Sequence, residues 1–248
     1  MRPELSVWIM TGDGDALSIG GNHFMHLMRR NPDIKVILFN NQIYGLTKGQ
    51  ASPTTAAGTK TKSTPYGAVD TPIRPLPLAL AAGATFAARV TDTDGDFLTE
   101  VLTQAAKHKG VAFVEVVLNC VIFNDGAASF MTDKAAKEEH TVRLAQGRPL
   151  VFGSKKDRGI CLSKNFTPEI VQWQEGGNAS PEVLVHDATR TDSSIAYLLS
   201  MMEHPEKPVA TGIFRQVEAP VYAEKKPSYT DTEVWDALKG SDSWIEGG

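Results

Sequence analysis

An α/β fold, a mostly parallel sheet flanked by helices, is what this sequence predicts, and three observations predict it. Short apolar runs rich in β-forming residues recur at 5–11 (LSVWIMT), 34–39 (IKVILF) and 111–118 (VAFVEVVL), each the size of a buried strand. Between the first two runs, Phe24, Leu27 and Met28 recur at helical spacing. Glycine-rich and asparagine-rich loops, Gly12-Asp13-Gly14-Asp15 and Asn40-Asn41, follow the first and second runs directly. Strand, helix and strand over this length form a crossover unit with parallel strands, whose C-terminal ends share one sheet edge.

The remaining elements follow in order. Asn31-Pro32 ends the first helix. Residues 44–77 are thick with Thr, Gly, Pro and Ser, and a loop of that length beginning at the asparagine pair reads as a functional lid or clamp. Residues 83–90 read as a turn and strand. An amphipathic helix then carries Phe97, Val101, Leu102 and Ala105 on one face, with Asp96 as N-cap and Gly110 as its stop. Residues 133–146 (DKAAKEEHTVRLAQ) are charged and predict an exposed helix whose charge needs no role beyond solvation. From about Pro149 the pattern shortens to strands at 183–186 and 209–214, with a helix near 193–202. The division expected is a main domain over 1–148 and a smaller extension over 149–248, packed on the main sheet or on a partner subunit.

The two loops suit a magnesium-bound diphosphate. Gly12 and Gly14 permit tight turns and let main-chain N–H groups approach an anion, and the helix that follows aims its positive end at the same place. Mg²⁺ takes oxygen ligands in a near-octahedral shell, typically a few protein oxygens completed by phosphate and water. Asp13 offers a carboxylate, Asn41 an amide oxygen, and the Ile43 carbonyl a third ligand. Either loop alone is an ordinary turn; together, each after an apolar strand, they mark a site.

The pair is similar to the thiamine-diphosphate signature. GDGDALSIGGNH (12–23) and FNNQIYGLTKGQASPTT (39–55) resemble the beta subunit of 2-oxoacid:ferredoxin oxidoreductases, particularly the 2-oxoglutarate type. KSTPYG (62–67), FVEVVLNCVIFNDG (113–126), LVHDA (184–188) and GIFR (212–215) resemble the same family further along. The resemblance implies a thiamine-diphosphate-binding fold and magnesium held by Asp13, Asn41 and the Ile43 carbonyl. It places Gly12, Gly14, Asp15 and the loop Tyr44, Gly45, Leu46 and Thr47 around the diphosphate. It implies oxidative decarboxylation of a 2-oxoacid to an acyl-coenzyme A, with electrons passed to ferredoxin, and an alpha subunit that supplies the carboxylate activating the aminopyrimidine.

Other residues carry less. Lys48 could bind a substrate carboxylate as a point charge; the pyruvate enzymes that resemble this loop have Gly there, which implies a 2-oxoacid with a second carboxylate. A solvated loop lysine is the plain alternative. Cys120 reads as a small core residue, but NCVIFND resembles the segment carrying the family's last ligand to a [4Fe–4S] cluster, a role conditional on three thiolates elsewhere. Cys161 reads as the core residue of a small strand. His23 and His26, three apart on the first helix, have no third metal ligand near them and read as structural. His108, His140, His186 and His204 are scattered without a nucleophile, and Ser18 and Ser63 lack the elbow context of a hydrolase.

Composition narrows the rest. The chain has 248 residues, a net charge of −4 and no long basic run, which argues against nucleic acid as a partner. Its longest apolar runs are strand-sized, which argues against a membrane span, and no secretory signal is visible after Met1, so cytoplasm is the expectation. Two cysteines are too few for an iron–sulfur cluster within one chain. Members of the resembled family normally begin with a further stretch holding a Cys-x-x-Cys pair, a third Cys and a His-Gly-Arg segment. Its absence here leaves a truncated polypeptide, a split gene or a short form as explanations. Two other functions stand as alternatives: a non-redox thiamine-diphosphate decarboxylase or lyase, and a non-catalytic cofactor-binding subunit.

Overall fold

The computed structural model describes residues 5–225 together with 232, 233 and 236. Residues 1–4 and the rest of the sequence-predicted extension beyond 225 lie outside the described residues. Strand β1 (Val7–Gly12) leads through a short π-helical turn, Asp15–Ile19, to helix α1 (Gly21–Arg30) and strand β2 (Ile34–Asn40). Then come α2 (Pro75–Ala81), β3 (Phe86–Thr91), α3 (Gly95–Lys107) and β4 (Ala112–Val117). The chain continues with α4 (Ser129–Thr132), α5 (Lys137–His140), β5 (Thr141–Leu144), β6 (Val151–Phe152), β7 (Arg158–Leu162), β8 (Pro168–Gln172), α6 (Ser194–Ser200) and β9 (Val209–Gln216).

The main sheet has six strands in the order β1-β2-β4-β3-β9-β5. β1, β2, β4 and β3 run parallel, β9 runs antiparallel to β3, and β5 is parallel to β9. The predicted α/β architecture is therefore present. Period-two alternation assigns the faces. Val36, Leu38, Ala87 and Phe113 face Phe24 and Met28 of α1, Leu76 and Leu80 of α2, and Leu199 of α6. Ile37, Phe86, Ala88, Val114 and Val116 face Phe97, Val101 and Ala105 of α3. A second sheet, β6-β7-β8, packs its buried Ile160 into the first of these cores. Asn31 closes the N-terminal margin: in the left-handed conformation that ends α1, its Oδ1 accepts from the Val111 N–H and the Thr85 hydroxyl, both at 2.8 Å.

Several expectations needed revision. The first strand is not buried: among the described residues it is an edge strand paired only with β2, and Val7, Ile9 and Met10 are exposed. Residues 133–146 are not one helix. The short helix α5 fills their middle and the strand β5 follows it, where Val142 and Leu144 point inward while Arg143 stacks on the Phe97 ring 3.6 Å from its centroid. High charge density disguised a two-residue alternation. The α3 cap position is Asp94, not Asp96, and the helix ends before His108 rather than at Gly110. Residues 183–186 form only an isolated bridge, Pro149 to Val185. Helix α2 begins at Pro75, inside the expected loop, with proline at the position where a missing N–H costs nothing. Cys161 lies on β7 but is half-exposed; its neighbour Ile160 is the core residue.

Phe113 is fully buried and meets Phe24 edge-on at 5.2 Å, which ties the central strand to α1. Phe113→Ala should lower stability by about 3–5 kcal/mol. Urea unfolding would check it, and a loss under 1 kcal/mol would show that this contact does not hold α1 to the sheet.

Candidate functional site

The parallel register aligns Gly12 with Phe39 and Asn40 with Val117, so the loops after β1, β2 and β4 emerge at one edge. There the first two loops touch. The Tyr44 hydroxyl donates to the Gly14 carbonyl at 3.2 Å, and a Cβ on Gly14 would overlap the Tyr44 ring. Glycine at 14 is required by that approach. The element directly following this loop is the π-helical turn and not the helix expected to aim its N-terminal end there; α1 starts only after Gly20, whose N–H bonds the Asp15 carbonyl at 2.8 Å. Such turns are rare and recur at functional sites.

Asp13 is 3% exposed. Its Oδ2 accepts from the Ser52 hydroxyl at 2.6 Å and the Thr54 hydroxyl at 2.5 Å. Burial raises its pKa above the ordinary carboxylate value, and those hydroxyls with the Asp13 and Gly14 backbone N–H groups offset only part of that. No lysine, arginine or histidine forms an ion pair with it among the described residues. A buried carboxylate held by neutral donors keeps part of the desolvation cost of its charge.

Asn40 is buried and joins the same network. Its Oδ1 lies 3.0 Å from the Thr54 hydroxyl, and its Nδ2 donates to Glu115 Oε1 at 2.8 Å. Asn41, the predicted ligand, turns differently: its Oδ1 accepts the Ile43 N–H at 3.1 Å, and its backbone carbonyl accepts from Asn124 Nδ2 at 3.0 Å. Gln42 between them adopts φ +59°, and the Thr55 hydroxyl clamps its carbonyl at 2.7 Å. The Asn40–Gln42 turn is thereby held from the 52–55 segment on one side and the 119–126 loop on the other.

The predicted diphosphate loop is a tight turn. Gly49 N–H bonds the Tyr44 carbonyl at 2.9 Å, Tyr44 N–H bonds the Gln50 carbonyl at 3.0 Å, and Leu46 stands almost fully exposed at the tip. Thr47 donates to Gln50 Oε1 at 2.5 Å. Lys48 is exposed and carries φ +76°, an unusual conformation for a non-glycine residue. Asp15 is exposed beside Gly12. Cys120 is half-buried, with its sulfur close to Gly45. Cys161 is elsewhere, on the smaller sheet. His23 and His26 sit on exposed positions of α1, and His26 Nδ1 lies 3.3 Å from Arg29. Sequence pattern marks Asn40 only as half of the Asn40-Asn41 pair, and it does not mark Ser52, Thr54, Thr55 or Glu115; the first three of these lie within the QASPTT segment, which was the available signal.

A groove of about 1260 Å³ runs beside α3, β5 and residues 213–224, and Asp13, Asn40 and Thr54 do not line it. Chemistry, not volume, locates the site.

Residues 1–116 match the family described as "Thiamine pyrophosphate enzyme, C-terminal TPP binding domain". The chain is 46% identical to the 2-oxoglutarate oxidoreductase subunit KorB of Mycobacterium tuberculosis, over 98% of this chain and 67% of that protein. It belongs to the beta-subunit family of 2-oxoacid:ferredoxin oxidoreductases, 2-oxoglutarate type. This beta-type chain is also 47% identical to the 2-oxoglutarate synthase subunit KorB of Archaeoglobus fulgidus, over 48% of this chain and 45% of that one. It is similar, with TM-score 0.67 and 26% identity, to a solved 2-oxoglutarate:ferredoxin oxidoreductase from Magnetococcus marinus with 2-oxoglutarate, coenzyme A and succinyl-CoA bound; the match covers 96% of this chain and 68% of that one. The beta-type chain thus spans about two thirds of its mycobacterial relative (67%) and, by the aligned portion, under half of the archaeal one (45%).

Because the folded pKa of Asp13 is raised, its ionisation costs the protein stability as pH rises through that value. Without cofactor, Asp13→Asn should melt higher than the parent at neutral pH. The advantage should vanish below the unfolded carboxylate pKa, where both are uncharged. Melting curves across pH check this; a lower melting temperature for the variant at neutral pH would refute it.

Proposed function

We propose that this chain holds the thiamine diphosphate of an enzyme that oxidatively decarboxylates 2-oxoglutarate to succinyl-coenzyme A and passes the electrons to ferredoxin, working with an alpha subunit. The observation that carries the reading is the buried Asp13 carboxylate, set beside the Asn40–Asn41 turn at the C-terminal sheet edge, in a chain of this family.

The residues present fit the cofactor. Asp13 has the anionic, cation-free environment that Mg²⁺ would relieve, and Asn41 and the Ile43 carbonyl are the further ligands proposed. Gly12 and Gly14 leave room for backbone N–H groups to face a diphosphate, and the turn Tyr44, Gly45, Leu46 and Thr47 would wrap its other side. Thiamine diphosphate, when bound, supplies a nucleophilic carbon and an electron sink for decarboxylation. The chain's own part is to hold and orient it: Ser52 and Thr54 fix the Asp13 carboxylate, and Asn124 fixes the turn that carries Asn41. Lys48, at the exposed rim, is proposed to hold the distal carboxylate of the substrate.

The residues present do not by themselves fit a [4Fe–4S] cluster. Among the described residues there is no group of three or more His, Cys, Asp or Glu placed to bind a metal, and Cys120 is the lone thiol at this edge. Cys120 is proposed as one ligand of a cluster completed by thiolates outside this sequence, and no step is derived through it. No described helix is long and apolar enough to cross a membrane.

Two measurements test the reading. Calorimetry with thiamine diphosphate and Mg²⁺ on the purified native complex should show binding that Asp13→Ala abolishes, along with 2-oxoglutarate-dependent ferredoxin reduction; undiminished binding and activity in that variant would defeat the proposal. Lys48→Ala should raise the KM for 2-oxoglutarate by roughly 10- to 100-fold, the worth of one charge-assisted hydrogen bond, with little change for pyruvate. Equal effects on both substrates would remove Lys48 from the recognition of the second carboxylate.

A further inference from the structure

The network around Asp13 does not stop at Asn40. Asn40 Nδ2 reaches Glu115 Oε1 at 2.8 Å, and Glu115 Oε2 accepts from Arg89 Nε at 2.8 Å. Arg89 and Glu115 are register partners on adjacent parallel strands, and the Arg89 guanidinium lies 5.8 Å over the Phe214 ring of β9. All four polar members between the cofactor edge and the strand interior are nearly out of solvent: Thr54 is 4% exposed, Asn40 5%, Glu115 2% and Arg89 8%.

The hydrogen-bond directions are forced from the arginine end. A guanidinium only donates, so Glu115 accepts from it. An ionised carboxylate only accepts, so the face of Asn40 turned to Glu115 must be its NH₂. The amide oxygen is thereby turned toward Thr54 and the Gln42 N–H, at 3.0 and 3.3 Å. Gln42 is the left-handed residue that swings the chain between Asn41 and Ile43. An apolar side chain at 115 would pack without the desolvation that a buried ion pair incurs. What the pair adds is a single orientation for Asn40.

We infer that Glu115 is a positioning residue: anchored by Arg89, it fixes Asn40 and so the turn that presents Asn41 and the Ile43 carbonyl to the metal. This rests on the magnesium–diphosphate reading of Asp13, Asn41 and Ile43. In Glu115→Gln, whichever way the new amide faces, its NH₂ meets either Arg89 or the Asn40 NH₂. Asn40→Ala removes the relay but leaves the Arg89–Glu115 pair whole, so its fold should suffer less.

The test is made in the full-length polypeptide within its native complex. Two quantities are read: the Mg²⁺ concentration giving half-maximal thiamine diphosphate binding by calorimetry, and the melting temperature without cofactor. Both variants should need at least tenfold more Mg²⁺, Asn40→Ala with the smaller drop in melting temperature. Asn40→Ala alone decides if Glu115→Gln does not fold. A half-saturating Mg²⁺ concentration within twofold of the parent in Asn40→Ala overturns the inference, because a purely structural network would move only the melting temperature. Asp13→Ala separates this failure from failure of the underlying reading: if it also leaves Mg²⁺-dependent binding intact, the metal site itself is misplaced and both fall.

Discussion

A carboxylate withdrawn from water without a cation beside it governs the arrangement described above. Asp13 is buried by the loops that follow β1 and β2, and its partners are hydroxyls, which soften but do not cancel the cost of its charge. A residue chosen only for stability at that position would be neutral. The tension is relieved if a divalent ion is part of the working protein, which makes the cost of burying this charge a component of the affinity for that ion.

The sheet makes this possible by bringing distant segments to one margin. Parallel pairing of β1, β2 and β4 delivers Asp13, Asn40 and the Cys120 loop to the same edge, and the 52–55 segment returns beneath them. Gly14 and Tyr44 show how close that approach is: the aromatic ring occupies the volume that any side chain at 14 would need. The site is therefore a property of strand register as much as of residue identity, since a one-residue slip would turn Asn40 to the opposite face.

Much of this was legible in the sequence because it is locally encoded. Apolar strands punctuated by Gly12-Asp13-Gly14 and Asn40-Asn41 announce themselves through spacing alone, and β2, α1, β3 and β4 lie where periodicity put them. What escaped depends on contacts far apart in the chain. Thr54 matters because it touches Asp13 and Asn40, and Glu115 matters because Arg89 and Asn40 converge on it; nothing within a few residues of either says so. Strand β5 was hidden by the lysines and glutamates that precede it, and β9, seen as a strand, was not seen to enter the main sheet between β3 and β5. The exposure of β1 followed from topology, not from its apolar composition, which is that of an interior strand.

That first strand has a consequence for handling the polypeptide. Among the described residues its outer backbone groups meet no neighbouring strand, and Val7, Ile9 and Met10 lie open along it with Leu5 just before. An unpaired ribbon of this kind is a template on which another extended segment can zip, including one from a second molecule of the same chain. Concentration of the isolated polypeptide would accordingly favour self-adhesion along this margin, and solubility during purification would depend on what lies against it.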